Sequence, residues 1–488
     1  MDERKHIVVV GGGIAGLAAA FYIHRFAEAH DLPISLQVLE REPRLGGKII
    51  TERVDGFIVE GGPDTFVTTK PWAMVLCREL GIEHRLHGTN PDLKRTYILH
   101  DARLHPLPGG LTMMIPTEIR PMVATGLLSW RGKARMAMDF FLPPEAQDRD
   151  ESIGGFVTRR LGREAYEHLV EPLMSGIYAG DGDELSLRAT LPYLRDLEQE
   201  HRGLVRGALA MRKARRKNGQ SAEDSRSLFM TPRTGLAEIV DALVERLHDS
   251  GVELRKSVEV ADLLADSNGR QLRLSDGTAL HADAIVLATP AYVTADLLRK
   301  LDSNLASELS NIEYASTATI TLAYRESDLS RELDGYGYVI PRREGRKVLA
   351  CTWTSSKFPH RAPEGHALLR VFVGRAGQEA EICWEEPDLL EIAKEELRDT
   401  LGIVSRPLFS RVHIFHRAMP QYNVGHPARL KRIDHAMEKW PWLALAGAGY
   451  RGIGIPDCIH SGELAAARII AQAFDGSLSP EARMPAQA

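Results

Sequence analysis

His6-Ile-Val-Val-Val10 runs straight into Gly11-Gly-Gly-Ile-Ala-Gly16, and this junction decides how the chain is read. An unbroken β-branched run has no polar face, which is the pattern of a parallel strand buried on both sides. Leu17 to Ala29 continues as a helix, and a second strand, Ile34 to Leu39, ends in Glu40. A G-x-G-x-x-G fingerprint between strand and helix, with an acid roughly two dozen residues on, is the dinucleotide-binding arrangement. Gly11 makes the tight turn, Gly13 lets the backbone approach a pyrophosphate, and Gly16 lets helix and strand pack closely. The helix N-terminus offers free N–H groups and a positive dipole end to the anion. Gly11, Gly12, Gly13, Ile14, Ala15 and Gly16 are therefore cofactor-binding candidates, with Glu40 and Arg41 at the end of the second strand. Glu40 is expected to accept hydrogen bonds from the adenosine ribose hydroxyls, and its charge disfavours a 2′-phosphate.

The next segment separates the cofactors that this arrangement serves. Arg44-Leu-Gly-Gly-Lys48 places a second glycine pair just past the acidic strand end. It resembles the extension of the amine-oxidase-like flavoproteins, in which such a pair lies along the pyrophosphate of FAD beside a Lys or Arg. That resemblance implies non-covalently held FAD and adds Gly46, Gly47 and Lys48 to the cofactor set. An NAD-dependent dehydrogenase is disfavoured by the second Gly-Gly pair and by the lack of a second fingerprint.

Composition excludes several classes. The chain has 488 residues, enough for two or three domains; it is 44% hydrophobic and 26% charged, as soluble globular proteins are. A net charge of -5 gives no reason to expect nucleic acid as a partner. Cys77, Cys351, Cys383 and Cys458 are far apart and form no CxxC pair. No metal site or disulfide framework is expected, and a reducing, cytoplasmic setting fits. Charges in Met1 to His6 lead directly into the first strand, unlike a signal peptide. No uncharged apolar run reaches the roughly 18 residues of a membrane span. The stretches 104–117 and 121–130 contain Pro, Gly and His and would at most touch a bilayer surface, placing the protein at the inner face of the membrane as a peripheral contact.

The rest of the chain reads as alternating blocks. A hairpin is expected over 49–59, turning at Asp55-Gly56. A glycine loop, Glu60-Gly-Gly-Pro-Asp-Thr65, leads to a helix over 71–81. Residues 112–217 read as mainly helical, with a basic run of Arg202, Arg206, Arg212, Lys213, Arg215, Arg216 and Lys217, read as a solvated face with a mobile tail over Asn218 to Ser225, or else as a contact for anionic lipid or an acidic partner. A helix over 235–250 precedes strands over 252–264, 271–274 and 279–288. Residues 305–425 are strand-rich with one helix, 387–402. Leu443 to Gly449 is a strand running into glycines, and Gly452-Ile-Gly-Ile-Pro-Asp457 opens a final helix, 458–474. The expected class is α/β (α+β overall). A discontinuous Rossmann-type FAD-binding domain spans 1–90, 226–300 and 438–488, a strand-rich substrate domain spans 91–111 and 301–437, and a helical, membrane-associating subdomain spans 112–225.

Six stretches carry a more specific resemblance: Gly61-Gly-Pro-Asp-Thr-Phe66, Glu171-Pro-Leu-Met-Ser-Gly-Ile-Tyr-Ala-Gly-Asp181, Ala350-Cys-Thr-Trp-Thr354, Ala362-Pro-Glu-Gly365, Met419-Pro-Gln-Tyr-Asn-Val-Gly-His426 and Gly454-Ile-Pro-Asp-Cys458. In this order they resemble the bacterial protoporphyrinogen and coproporphyrinogen oxidases of haem synthesis from end to end, and most of all the coproporphyrinogen III branch, whose typical lysine Lys70 matches. The resemblance implies further cofactor contacts at Gly61, Gly62, Pro63, Asp64, Val260, Gly449, Gly454, Ile455 and Pro456, and substrate contacts at Lys70 and Tyr178. Phe372 and Phe415 depart from it, standing where relatives carry Tyr and Trp, so neither is given a polar role. His426 is read as a proton carrier or, more simply, a structural histidine.

The implied reaction removes six electrons and six hydrogens from a porphyrinogen in three flavin cycles, with molecular oxygen as acceptor and hydrogen peroxide as by-product. A tetrapyrrole disc with acidic arms calls for an apolar pocket with cations at its rim. No side-chain general base is assigned, since water or the flavin can take the proton. Handover of product to the next haem-pathway enzyme is a further expectation. Other readings are an amine oxidase, a carotenoid desaturase, protoporphyrinogen oxidase activity, or a chaperone-like module that has lost its flavin.

Overall fold

The computed structural model describes residues 4–93, 95–109, 111–112, 115–116, 118–145, 149–217, 227–266 and 269–474. The tail expected over Asn218 to Ser225 lies outside them. Strand β1 (Lys5–Val10) leads into helix α1 (Ile14–Ala29), and β2 (Ile34–Leu39) lies beside β1 in parallel. Three more strands, β3 (Glu253–Arg255), β4 (Ala284–Leu287) and β5 (Leu443–Leu445), complete a parallel sheet of order β3-β2-β1-β4-β5. The β-branched run is buried as its sequence demands: Ile7, Val8 and Val9 are fully enclosed. Ile7 and Val9 enter one apolar core, with α1 and the final helix α2 (Ile455–Ala473); Val8 and Val10 enter another on the opposite face.

The two helices of the first core approach closely. A Cβ on Gly462 of α2 would lie 2.4 Å from the Ala15 carbonyl oxygen and 2.8 Å from Ala19 N. Only a glycine fits such a crossing.

Beyond the carboxyl edge of the parallel sheet stands a seven-stranded, mostly antiparallel sheet drawn from residues 96–106 and 314–420. Its core packs against the helix Glu386–Leu401, which ends at Gly402 with φ +71°. The described part of 118–217 folds as short helices around a separate apolar cluster. The hairpin forms as expected, Thr51–Val54 against Phe57–Glu60, with Asp55 and Gly56 both at positive φ.

Two expected strands break. Residues 252–264 split into β3 and Val260–Asp266, because Ser257 takes a positive φ of 57° and turns the chain out of the parallel sheet. Residues 279–288 likewise divide into Ala279–His281, in an antiparallel three-stranded sheet, and β4. The final helix starts three residues earlier than expected, at Ile455, since Pro456 fits the first helical turn, where its missing N–H costs nothing.

Gly462→Val should therefore lower stability by about 3 kcal/mol through overpacking at the helix crossing. Urea unfolding against the parent protein reads this; an unchanged midpoint would contradict the crossing.

Candidate active site

The site is built at the carboxyl edge of the parallel sheet, where α1 and α2 both begin. Gly13 caps α1 and Gly454 caps α2, and neither helix has a side chain bonded to its first N–H groups. Uncapped N-termini present positive partial charge and unsatisfied donors. The helices cross near Ala15 and Gly462, one turn into α1 and about two turns into α2, so the start of α2 projects further from the sheet.

The glycine pairs occupy the gap between the helix starts. Gly46 N donates to the Gly12 carbonyl at 2.8 Å, and Gly13 and Gly46 form a parallel bridge. A Cβ on Gly16 would lie 1.9 Å from the Gly11 carbonyl oxygen, which excludes any other residue there. Gly13 differs: a Cβ there would meet nothing nearer than Gly47 Cα at 3.9 Å. The fold itself does not require a glycine at Gly13, but a ligand lying against the backbone does. Glu40 is oriented by two backbone donors, Gly12 N at 2.7 Å and Glu42 N at 2.8 Å, which fixes its carboxylate beside the fingerprint. Arg41 points to solvent and pairs with Glu42. The Glu40 carbonyl accepts from Val258 N at 2.9 Å, which brings Val260 and its strand alongside.

Lys48 is the cation of this recess. Its side chain is open to solvent, yet the surrounding protein is dense enough that burial pushes its ammonium below the ordinary lysine range. No carboxylate pairs with it among the described residues. An ammonium with no carboxylate partner near the first turn of α2 suits an anionic ligand.

The glycine loop 61–64 closes the other side. A Cβ on Gly62 would lie 1.8 Å from the Lys48 carbonyl oxygen. The Gly61 carbonyl is held by Thr319 Oγ1 at 2.5 Å and Arg370 Nη2 at 3.2 Å, both from the seven-stranded sheet. Asp64 faces Lys357 Nζ at 3.2 Å. Burial alone would raise the Asp64 carboxyl, but Lys357, Arg370 and Arg361 outweigh it and hold it at about 2. Just before the loop, Glu60 is enclosed and accepts from Arg361 at 2.6 Å, Leu236 N at 2.8 Å and Thr51 Oγ1 at 2.6 Å. Burial pushes its carboxyl up against these partners.

Of the two substrate candidates, Lys70 reaches the start of α2. Lys70 Nζ donates to Asp457 Oδ1 at 2.6 Å, across 387 positions of sequence. Tyr178 ends the helix Glu171–Tyr178, and its hydroxyl donates to the Thr190 carbonyl at 3.3 Å. Burial, and then the charge of Asp457, push its phenol up to about 12. Gln421 Nε2 donates to the Tyr178 and Met419 carbonyls at 3.1 and 3.0 Å, joining two of the quoted stretches. Tyr422 donates to the Ala448 carbonyl and accepts from Gly452 N at 2.9 Å, tying the same segment to the glycines around Gly449. His426 stacks on Tyr422 and contacts the Tyr450 carbonyl at 2.8 Å; it is fully enclosed, and burial lowers its pKa, which is a structural histidine's environment. Phe372 packs under the Arg370 guanidinium at 4.8 Å.

Sequence reasoning missed Lys357, Arg370 and Asp457. Asp457 stands inside Gly454-Ile-Pro-Asp-Cys458, but its pairing with Lys70 has no local signal. The recess fits an anionic flavin cofactor: bare backbone at Gly13, two helix starts without side-chain caps and a lysine with no carboxylate partner among the described residues.

Residues 14–470 match the family of flavin containing amine oxidoreductases. The coproporphyrinogen III oxidase of Bacillus subtilis (strain 168) is 40% identical over 97% of this chain and 99% of its own length. The protoporphyrinogen oxidase of Bos taurus is 32% identical over 96% and 98%. The crystal structure of a putative protoporphyrinogen oxidase from Exiguobacterium sp. 255-15 superposes with a TM-score of 0.84 at 32% identity, covering 96% of this chain and 99% of that one. The chain belongs to the coproporphyrinogen III oxidase and protoporphyrinogen oxidase branch of the flavin amine oxidoreductases. It is a flavin-dependent oxidoreductase. A reduced UDP-galactopyranose mutase, 14% identical with a TM-score of 0.69, shares the fold.

Two outcomes are expected of this flavoenzyme. Gly13→Glu should fold with the parent's circular dichroism and yet purify colourless, while the parent is yellow; a yellow variant would remove Gly13 from the cofactor site. Asp64 should contribute about 2 kcal/mol of stability at neutral pH. Its folded pKa lies below its unfolded one, so the contribution is complete above the unfolded value near 4 and is lost as pH falls through about 2. The gap in urea stability between the parent and Asp64→Asn should close over that window, and a gap independent of pH would refute the assignment.

Proposed function

We propose that this flavoenzyme oxidises coproporphyrinogen III to coproporphyrin III in haem synthesis, with non-covalent FAD as its flavin and molecular oxygen as final acceptor. Bacterial relatives named coproporphyrinogen III oxidase, at 40% and 32% identity over nearly the whole chain, support the reaction. The observation that carries the substrate choice is Lys70. Its ammonium has three donors and uses one on Asp457 at the start of α2, and the side chain is 43% exposed. Coproporphyrinogen carries four propionates and protoporphyrinogen two, so a cation at the rim favours the former. An unpaired carboxylate taken into an apolar site costs several kcal/mol.

Gly13, Gly46, Gly47 and the starts of α1 and α2 would hold the dinucleotide, Glu40 its ribose, and Lys48 an anionic portion. FAD supplies a two-electron hydride acceptor that oxygen restores. The chain's own groups bind and orient: Tyr178 and Lys70 position the disc and one acidic arm, and Gln421 holds Tyr178 in place through its carbonyl. The proton would go to water or the flavin, since Asp64 and Glu60 are engaged in ion pairs and His426 is enclosed.

No described helix is long and apolar enough to cross a membrane. Contact with a bilayer surface is supported by Trp130, Met138 and Phe141, which are 70%, 49% and 86% exposed in the helical region. Such a position would suit handover of product to the next haem-pathway enzyme.

Assayed side by side, coproporphyrinogen III should be turned over in preference to protoporphyrinogen IX, with about three peroxides per porphyrin, since each flavin cycle moves two electrons. Lys70→Ala should cut kcat/KM for coproporphyrinogen by about ten- to a hundredfold, with less effect on protoporphyrinogen and full flavin content. Preference for protoporphyrinogen would overturn the substrate assignment; loss of flavin in the variant would move Lys70 to the cofactor site.

A further inference from the structure

Lys70 and Asp457 are unequal partners. Lys70 is 43% exposed and rises from the segment after the glycine loop, whereas Asp457 is 11% exposed and fixed in the first turn of α2. A carboxylate is stabilised there by the helix N-terminus. The chain makes room for it: a Cβ on Gly452 would lie 2.3 Å from Asp457 Cγ, and one on Gly454 3.0 Å from Asp457 Oδ2. Gly452, at φ +152°, also has backbone that side-chain-bearing residues rarely adopt. The lysine can pivot towards solvent; the aspartate cannot follow it.

We propose that Asp457 is a specificity-determining positioning residue that holds the Lys70 ammonium at the mouth of the flavin recess and competes for it with a carboxylate arm of the substrate. This rests on the reading given under Proposed function. A propionate that reaches Lys70 makes a carboxylate–ammonium–carboxylate arrangement. The two anions then stand on one cation in a site partly shielded from water, where like charges repel more strongly than in bulk solvent. Asp457 therefore weakens each carboxylate-bearing ligand while keeping Lys70 extended in its absence. A ligand that places an apolar group beside Lys70 does not meet this competition. Lys48, which shares the electrostatic neighbourhood of Cys458 with Lys70, keeps the surroundings net positive when Asp457 is charged.

The test is a double-mutant cycle on the flavin-loaded enzyme, read by fluorescence titration with coproporphyrin III, an air-stable ligand with four carboxylates, and by KM and kcat for coproporphyrinogen III. Asp457→Asn should tighten coproporphyrin III about three- to fivefold, the value of one partly exposed ion pair, and lower KM by a similar factor. In a Lys70→Met background the same substitution should change neither. Asp457→Ser serves as a second charge-removing variant should the asparagine fail to fold. Weaker binding on removal of the Asp457 charge, or an equal gain with and without Lys70, overturns the inference, the latter because it would make Asp457 a general repulsive charge. If the parent does not turn over coproporphyrinogen III, the functional reading falls. If it does and the cycle is additive, only the role of Asp457 falls.

Discussion

Everything in this site depends on helix N-termini aligned at one edge of a parallel sheet. A parallel strand order sends each following helix back across the sheet, so α1 and α2 begin at the same edge. Their first N–H groups have no side-chain caps, and in a soluble protein such groups find water or a ligand. The glycines are consequences of that geometry. Gly16 and Gly462 let backbones approach within van der Waals limits, whereas Gly13 is free of such contacts and leaves backbone bare towards the recess. Packing glycines and ligand glycines are thus distinguishable within one motif.

A second constraint joins the two halves of the molecule. Glu60, Arg361 and Arg370, all buried, and the partly buried Asp64 and Lys357 form a group of charges between the glycine loop and the seven-stranded sheet. Buried ion pairs add little net stability over apolar packing, but breaking one leaves an uncompensated charge at a cost of several kcal/mol. The consequence here is positional. The Gly61 and Gly62 carbonyls are pinned by Arg370, so the loop beside the recess moves only with the seven-stranded sheet. The parallel-sheet part and the seven-stranded part of the chain are held in register by these charges.

How much of this was legible follows the range of each interaction. β1, α1 and β2 declare themselves because a buried strand, a glycine turn and an acidic strand end are local patterns with one physical solution. The hairpin at Asp55-Gly56 is legible for the same reason: both residues tolerate positive φ. The break at Ser257 was not, since 252–264 keeps its apolar character through the turn while the chain changes sheets. The pairs Lys70–Asp457 and Asp64–Lys357 span hundreds of residues and left no periodicity to read. Motif resemblance found the neighbourhoods of Lys70, Asp64 and Tyr178 but not their partners.

Those partners change what the residues can do. A lysine read from sequence as a free cation at a pocket rim is, in the fold, half of an ion pair, so its affinity for a ligand is a difference between two carboxylates. An aspartate in a glycine loop beside a cofactor invites a catalytic role, yet cations on three sides hold Asp64 ionised far below neutral pH, and a carboxylate held that strongly is a poor proton acceptor. Glu60 is already satisfied by Arg361, Leu236 and Thr51. The acidic residues nearest the recess are structural by environment. Redox chemistry in this family therefore falls to the flavin.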